Sequence, residues 1–581
     1  LDRIGKSIAR GKWSEVVKLW RQAPKMFEEI VRKLSEKRSQ QSQEDGQPAK
    51  RRKTESSKLE ALLDLRPRWE TFSRNLDQFE VQISGGSGAY AFAFVEGNIV
   101  KAVRNGDWVL LDEINLASPD TLESIADLLQ SGPNDAPSIL LSETGEIERI
   151  KAHPDFRIFG AMNPATDVGK RDLPLGLRSR FTEIYVPSPD RDVKDLITIV
   201  KTYLKGNSAT VDQAADKVAN LYLEIKRLAE EKSIVDGANE VPHLSLRTLT
   251  RVLTYVNDVS PFYGLDRALF EGFCMGFLTL LDQRSENVVM PLLLAHLFGK
   301  GQNRRQSLLS QPPKYPDDGR EYVRFTNKDR DRQYWLLRGQ EEPMERPDYI
   351  RTRYVERNLL NLVRATSTRR FPILIQGPTS AGKTSMIEYL ANYSGNKFVR
   401  INNHEHTDLQ EYLGTYVSGS DGKLKFQEGL LVQAMRQGHW IVLDELNLAP
   451  TDVLEALNRL LDDNRELLIP ETQEIVRPHG SFMLFATQNP PGLYGGRKVL
   501  SRAFRNRFLE LHYDDIPEDE LEYILQKRSL NTSPSDCKRI VSVYKELSRL
   551  RQTSRVFEQS DSFATLRDLF RWALRDAETR E

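Results

Sequence analysis

The sequence predicts an α/β protein built twice over, as tandem modules that each hold a P-loop parallel-sheet core and a helical lid, with a helical insertion in the first. Three observations carry this. Residues 377–384, GPTSAGKT, fit G-x-x-x-x-G-K-[ST] without a mismatch and lie between the apolar run 373–375 and a helical pattern over 385–392, which is the strand, loop and helix this motif requires. Some sixty residues later the apolar stretch WIVL, 440–443, runs into Asp444 and Glu445. Residues 94–130 match residues 426–462 at about half of their positions without a gap, so one structural unit is used twice.

The loop chemistry explains the residue types. Gly377 and Gly382 let the backbone turn tightly enough for N–H groups to point at phosphate oxygens, aided by the positive end of the following helix. The candidate nucleotide-binding residues are Gly377, Pro378, Thr379, Ser380, Ala381, Gly382, Lys383, Thr384 and Ser385. Lys383 reaches the outer phosphates, Thr384 offers its hydroxyl to Mg2+, and Asp444 stands on the other side of that ion. Glu445 is placed to polarise the water that attacks the terminal phosphate of ATP.

The repeat continues beyond the matched block. Asp112 and Glu113 stand in register with Asp444 and Glu445. GAMNP (160–164) answers ATQNP (486–490), GLRSRFTEIYV (176–186) answers AFRNRFLELHY (503–513), and SLRTL (245–249) answers ATLRDL (564–569), all in the same order.

In this order the residues resemble the AAA+ ATPases, in which a Walker A loop, a Walker B strand, a sensor 1 polar residue, an arginine finger and a sensor 2 arginine follow one another. LDE[IL]NLA, NHEHTDLQEYLGTYV and ATQNPPGLYGGRKVLSRAFRNRF are similar, more narrowly, to the dynein-related midasin family of ribosome assembly. The likeness covers nearly everything except residues 1–90 and a linker, and it places the copies as second and third modules of a ring.

The resemblance implies that Asn489 is sensor 1, Arg507 the finger with Arg505 as its rival, and Arg567 sensor 2. In the first copy the equivalents are Asp112, Glu113, Asn163, Arg180 and Arg247. Sensor 1 makes physical sense, because Asn489 ends the apolar run 482–486 beside the Walker B strand. A finger spreads its charge over several donors that meet the charge developing in the transition state. By analogy with other AAA+ rings it enters the preceding module, so Arg507 would complete the site of Asp112 and Glu113. The chain alone would then bind ATP well and hydrolyse it poorly, since a missing finger lowers turnover by about a thousandfold or more.

The implied function is a ring-shaped mechanochemical ATPase that remodels large-ribosomal-subunit precursors and releases assembly factors in the nucleus, both nucleolus and nucleoplasm. Its partners would be the other modules of its ring, the pre-ribosomal particle and assembly factors. Another MoxR-like or dynein-like remodelling ATPase, or a nucleotide-stabilised docking scaffold with little turnover, stand as alternatives.

The first copy departs from the pattern, because nothing upstream of Asp112 fits a Walker A loop. SGGSGAY, 84–90, has no lysine in the required place and reads as a hinge. The expectation is a module whose phosphate loop precedes Leu1, in agreement with the absence of an initiator Met; the alternative is a module that does not bind nucleotide.

Composition shifts divide the chain. Residues 1–90 are expected as the helical insertion, with a disordered basic loop at 35–58 whose KRRK, 50–53, has the character of a nuclear-import signal. Residues 91–188 would complete the first core and 189–300 its lid. A polar, proline-containing stretch, 301–347, reads as an extended surface linker. Residues 348–515 form the second core and 516–581 an incomplete second lid. Hairpins are expected at 139–149 and 467–478, each before a sensor 1 strand.

The length of 581 residues suggests about three to five compact units. No apolar run approaches the roughly 18 residues that span a bilayer, so no membrane is expected. Lys and Arg number 83, as do Asp and Glu, so net charge is zero and gives no argument for direct, sequence-specific nucleic-acid binding. Cys274 and Cys537 are the only cysteines and read as intracellular core residues. HEH, 404–406, lacks the further ligands that Zn2+ needs; it is expected to close a strand and position the next loop.

Overall fold

The computed structural model describes residues 13–41, 96–130, 137–141, 149–163, 172–204, 208–299, 302–418, 424–462, 464–490, 499–529, 532–553 and 566–578, together with Leu65, Trp69, Phe72, Ser73 and Leu76. It divides into two compact units, residues 1–166 with 170–183, and 167–169 with 184–581.

The second unit is organised by a five-stranded sheet. Its strands are β1 (Ile373–Gln376), β2 (Phe398–Asn402), β3 (Trp440–Asp444), β4 (Met483–Gln488) and β5 (Leu509–His512). All pairings are parallel, in the order β5-β1-β4-β3-β2. Every residue of β1, β3 and β4 is buried, as expected of a parallel sheet covered on both faces. Alternate residues serve opposite faces: Ile441, Leu443, Leu484 and Ala486 enter one apolar core, while Trp440, Val442, Met483 and Phe485 enter the other.

The second of these cores runs on without a break into the helical lid that precedes it in sequence. It contains Val256, Phe273 and Met275 of that lid and Phe325 and Tyr334 of the connecting segment. The lid helices are Val193–Tyr203, Ser208–Glu230, Leu246–Tyr263, Leu265–Phe273 and Gln283–Phe298. Polar contacts fasten the same joint. Arg251 Nη1 donates to Phe508 O at 2.7 Å, Thr279 Oγ1 donates to Glu510 O at 2.8 Å, and His512 N donates to Thr279 O at 2.7 Å. Gly237 lies so close that a Cβ there would come within 1.9 Å of the His512 ring.

The segment 301–347 departs from the expected extended linker. It carries a helix, Gln302–Ser310, and an antiparallel hairpin, Tyr322–Thr326 with Gln333–Leu337. Phe325 and Tyr334 of the hairpin are fully buried. Its strands are short and flanked by charged residues, so average composition hides an apolar face that the lid and the second core cover together, Tyr334 lying against Tyr263 with centroids 6.2 Å apart and Phe325 against Tyr393 at 5.5 Å. The second lid consists of Glu518–Arg528, Pro534–Thr553 and Leu566–Glu578 around its own small core.

The first unit repeats part of this plan. Trp108–Leu111 pairs in parallel with Arg157–Gly160, with Trp108 opposite Arg157 as Trp440 is opposite Met483. The hairpins expected before each sensor 1 strand are present as Ser138–Ile139 with Ile150–Lys151 and as Leu467–Ile469 with Glu474–Val476. Trp108 is 72% exposed where Trp440 is 1% exposed. The segment 182–186, the repeat partner of β5, forms no strand, and Ile184, Tyr185 and Val186 are exposed. In the second copy β5 pairs only with β1, the strand that feeds the phosphate loop; among the described residues the first copy offers no such neighbour.

Helices Trp13–Trp20 and Gln22–Gln41 lie in the segment expected as the insertion. Phe27 stacks on Trp69 with centroids 5.3 Å apart. The second helix continues through residues 35–41, where disorder was expected, because nothing in EKRSQQ breaks a helix. KRRK and SGGSGAY lie outside the described residues.

Candidate nucleotide site

The site forms where β1, β3 and β4 end at their carboxyl edge, the side on which parallel sheets hold ligands. From β1 the chain enters the loop and then the helix Lys383–Tyr393. Two glycines are required there. A Cβ on Gly377 would come within 2.6 Å of Tyr513 O, and Gly382 has φ +84°. Ser380 shares the left-handed region at φ 68°.

Lys383 is buried and donates from Nζ to Gly377 O at 2.6 Å, Pro378 O at 2.8 Å and Asn489 Oδ1 at 2.7 Å. Thr384 Oγ1 lies 3.2 and 3.1 Å from the two Asp444 carboxylate oxygens. Asp444 also accepts from Thr487 Oγ1 and pairs with Arg400. Glu445 follows in a left-handed conformation, φ 53°, which turns its carboxylate out of the strand path. Its backbone N–H donates to Thr487 Oγ1 at 3.1 Å, and Asn489 Nδ2 donates to its Oε1 at 3.2 Å.

Lys383, Thr384, Asp444, Glu445 and Asn489 are thus brought into one hydrogen-bonded group. The hydroxyls of Thr379 and Ser380 are buried with no hydrogen-bond partner among the described residues. Buried donors are costly to leave unpaired, and these two fit phosphate oxygens. A carboxylate beside a hydroxyl is an oxygen donor set of the kind Mg2+ takes. Pro378, Ala381 and Ser385 shape the turn: Ala381 N donates to Pro378 O at 3.3 Å, and Ser385 Oγ donates to Gly382 O at 3.0 Å.

The first copy reproduces the Walker B end. Glu113 has φ 51°, and Asn115 Nδ2 donates to Asn163 O at 3.1 Å just as Asn447 Nδ2 donates to Asn489 O at 3.0 Å. Asp112 is exposed and accepts from Glu113 N at 3.0 Å.

The arginines stand elsewhere. Arg507 Nε donates to Asp462 Oδ1 at 2.7 Å, and Arg180 Nη1 donates to Ala126 O at 2.6 Å. Arg247 and Arg567 are exposed near the starts of lid helices Leu246–Tyr263 and Leu566–Glu578. Among the described residues neither Arg507 nor Arg567 hydrogen-bonds to the five grouped side chains.

Sequence reasoning missed Arg400, Thr487 and Asn403, whose Nδ2 donates to Asp444 O at 2.9 Å. The signals were present: a charge inside the strand FVRIN, and a threonine two residues before Asn489. His404 closes a turn after β2, its N–H donating to Thr407 Oγ1 at 2.8 Å.

Residues 59–181 and 372–508 match the AAA domain (dynein-related subfamily). Residues 195–300 and 520–581 each match a midasin AAA lid domain. A midasin of Dictyostelium discoideum is 50% identical over 530 residues, 89% of this chain. The chain belongs to the midasin family. A midasin of Giardia intestinalis is 39% identical over 83% of the chain. This midasin-family chain spans about a tenth of the length of these relatives, 9% and 10% respectively. An uncharacterized protein of Staphylococcus aureus (strain USA300) is 29% identical over 34% of the chain and 76% of its own length. The first AAA match begins at residue 59, within the segment expected as the insertion of this midasin-family module.

Proposed function

We propose that the chain is the ATP-binding and hydrolysing part of a ring-shaped mechanochemical ATPase, which remodels large-ribosomal-subunit precursors and releases assembly factors in the nucleus. The observation that carries the enzymatic part is the convergence of Lys383, Thr384, Asp444, Glu445 and Asn489 on one sheet edge. The ribosomal substrate, the pre-ribosomal partners and the nuclear location follow from family membership.

In this reading Lys383 leaves its loop carbonyls for the outer phosphates, and the hydroxyls of Thr379 and Ser380 gain the acceptors they lack. Thr384 and Asp444 hold Mg2+, which supplies charge neutralisation at the phosphates when bound. Glu445 orients and polarises the water, and Asn489, already donating to Glu445, keeps that carboxylate aimed. Arg507 acts on the preceding module. What supports this direction is that its turn lies against the first lid: Arg502, Arg505 and Phe508 line a cavity together with Ser245, Thr248 and Arg251. Arg247 and Arg567 act from the lids as sensor 2.

Single-turnover hydrolysis by this chain, with and without Arg507→Ala, tests the arrangement. Tight ATP binding with slow, Arg507-independent turnover is expected; brisk turnover that depends on Arg507 would reverse the direction. Co-purification of the full-length protein with pre-ribosomal particles tests the substrate.

A further inference from the structure

The turn that carries the candidate finger is clamped in the same way in both copies. Arg178 forks onto Glu183, with Nε and Nη2 donating at 2.9 and 2.6 Å. Arg505 forks onto Glu510 at 3.2 and 2.8 Å. The pair therefore belongs to the repeated unit rather than to one module's chemistry. The copies differ in what covers the fork. The side chains of Arg178 and Glu183 are 43% and 50% exposed, whereas those of Arg505 and Glu510 are 17% and 21% exposed. Asp236 of the first lid contributes to that cover, with Oδ2 3.8 Å from Arg505 Nη2. Burial by itself lowers the Arg505 pKa, and Glu510 and Asp236 more than offset it, so the guanidinium is held above its ordinary value.

Asp236 is in turn fixed, since its Oδ1 accepts from the backbone N–H groups of Ala238 and Glu240, both at 2.9 Å. A guanidinium committed to two carboxylates cannot also reach a terminal phosphate without breaking both pairs. Arg502, one helical turn earlier, lines the same cavity; its carbonyl accepts from Asn506 N at 2.8 Å, and its guanidinium has no hydrogen-bond or ion-pair partner among the described residues.

We propose that Arg505 is a positioning residue for the preceding module's ATP site: it clamps the turn 502–507 between Glu510 of β5 and Asp236 of the first lid, and so sets where Arg502 and Arg507 stand relative to that lid. This rests on the reading that Arg507 acts across the module boundary. It also removes Arg505 from the rivalry for the finger. Bidentate arginine–carboxylate pairs fix geometry as well as charge, and displacing a reactive group by about 1 Å costs on the order of a hundredfold in rate.

The test is ATP turnover by the full-length protein, with nucleotide affinity measured in parallel. Arg505→Gln is expected to lower kcat by about ten- to a hundredfold while KM stays within about twofold. Combining Arg505→Glu with Glu510→Arg and Asp236→Asn rebuilds the clamp with its charges exchanged and is expected to recover most of the lost turnover. A guanidinium that touches phosphate could not be rescued in this way. A folded exchange variant as slow as Arg505→Gln would therefore overturn the proposal. Asp236→Asn alone keeps the test decisive if the exchange folds poorly: reduced kcat at unchanged affinity supports the clamp, and wild-type kcat overturns it. Arg507→Ala separates the underlying reading, because undiminished turnover there would remove the finger itself, whatever Arg505 does.

Discussion

Replacing Arg364 by Met removes the main partner of a carboxylate that water does not reach. Glu271, on lid helix Leu265–Phe273, is fully buried. It accepts from Arg364 Nε at 2.5 Å, in helix Arg353–Ser367 of the second core, and from Tyr334 Oη of the hairpin at 3.1 and 3.0 Å. Arg267 Nε lies 3.6 Å away. Three distant stretches of sequence therefore meet at one charge. Breaking a buried pair costs about 3–5 kcal/mol, because the surviving charge is left uncompensated. Arg267 and Tyr334 remain in the variant, which places the expected cost near the lower end, about 3 kcal/mol. Because the unit holds several subdomains and two-state unfolding does not apply, local opening by hydrogen exchange is the appropriate assay. Amides of Leu265–Phe273, Gln333–Leu337 and Arg353–Ser367 should exchange together, about a hundredfold faster than in wild type. Adding Glu271→Leu alone would leave the Arg267 guanidinium buried without a carboxylate, so recovery of most of the lost protection is expected only when Arg267→Leu is added as well, because apolar replacement of the whole buried cluster is often neutral. A cost below about 1 kcal/mol for Arg364→Met, or a triple variant no better than the single, would refute this reading of the joint.

Other perturbations follow from the same geometry. Gly377→Ala puts a Cβ within 2.6 Å of the Tyr513 carbonyl, whose chain is pinned by Tyr513 N donating to Gln376 O at 2.8 Å; ATP affinity should fall by at least about tenfold, or about 1.4 kcal/mol, in a titration with labelled nucleotide. Burial raises the Glu271 pKa, but Arg364 and Arg267 more than offset it, leaving it below the ordinary 4.5. Its contribution to stability is therefore present above the ordinary value and fades as pH falls through the lowered one. Hydrogen-exchange protection of Leu265–Phe273, corrected for the intrinsic pH dependence of exchange, should show an acid-side loss that is shallower in Glu271→Gln. Deleting residues 1–80, which belong to the other compact unit, should leave ATP affinity at Lys383 unchanged while altering regulation or pre-ribosome association; lost affinity would contradict the placement of that segment outside the Lys383 site.

The candidate site around Lys383 was legible in the sequence because its geometry is local. Glycine spacing, the lysine after the second glycine, and a carboxylate pair at the end of an apolar strand each dictate a backbone path over a few residues. The left-handed Glu445 and Glu113 show that the repeat preserved even that path. What escaped depends on partners far away in sequence. The hairpin at 322–337 is apolar only on the face that the lid and the second core cover, with Tyr334 against Tyr263 and Phe325 against Tyr393. The chain position of Arg507 suggested a role, but not that Asp462 holds it. Arg400 reached Asp444 through the pairing of β2 with β3, a register that no single motif displays. Segment 182–186 fits the same dependence: it stands where β5 stands in the second copy, and it forms no strand where no neighbouring strand lies among the described residues.

Binding of ATP through Lys383 and its hydrolysis through Glu445 are read most directly from equilibrium ATP–Mg2+ binding by wild type, Lys383→Ala and Glu445→Gln, followed by product analysis of the bound nucleotide. Tight binding by wild type, loss of it in Lys383→Ala, and intact ATP retained by Glu445→Gln is the expected result. Equal affinity in wild type and Lys383→Ala would contradict the account.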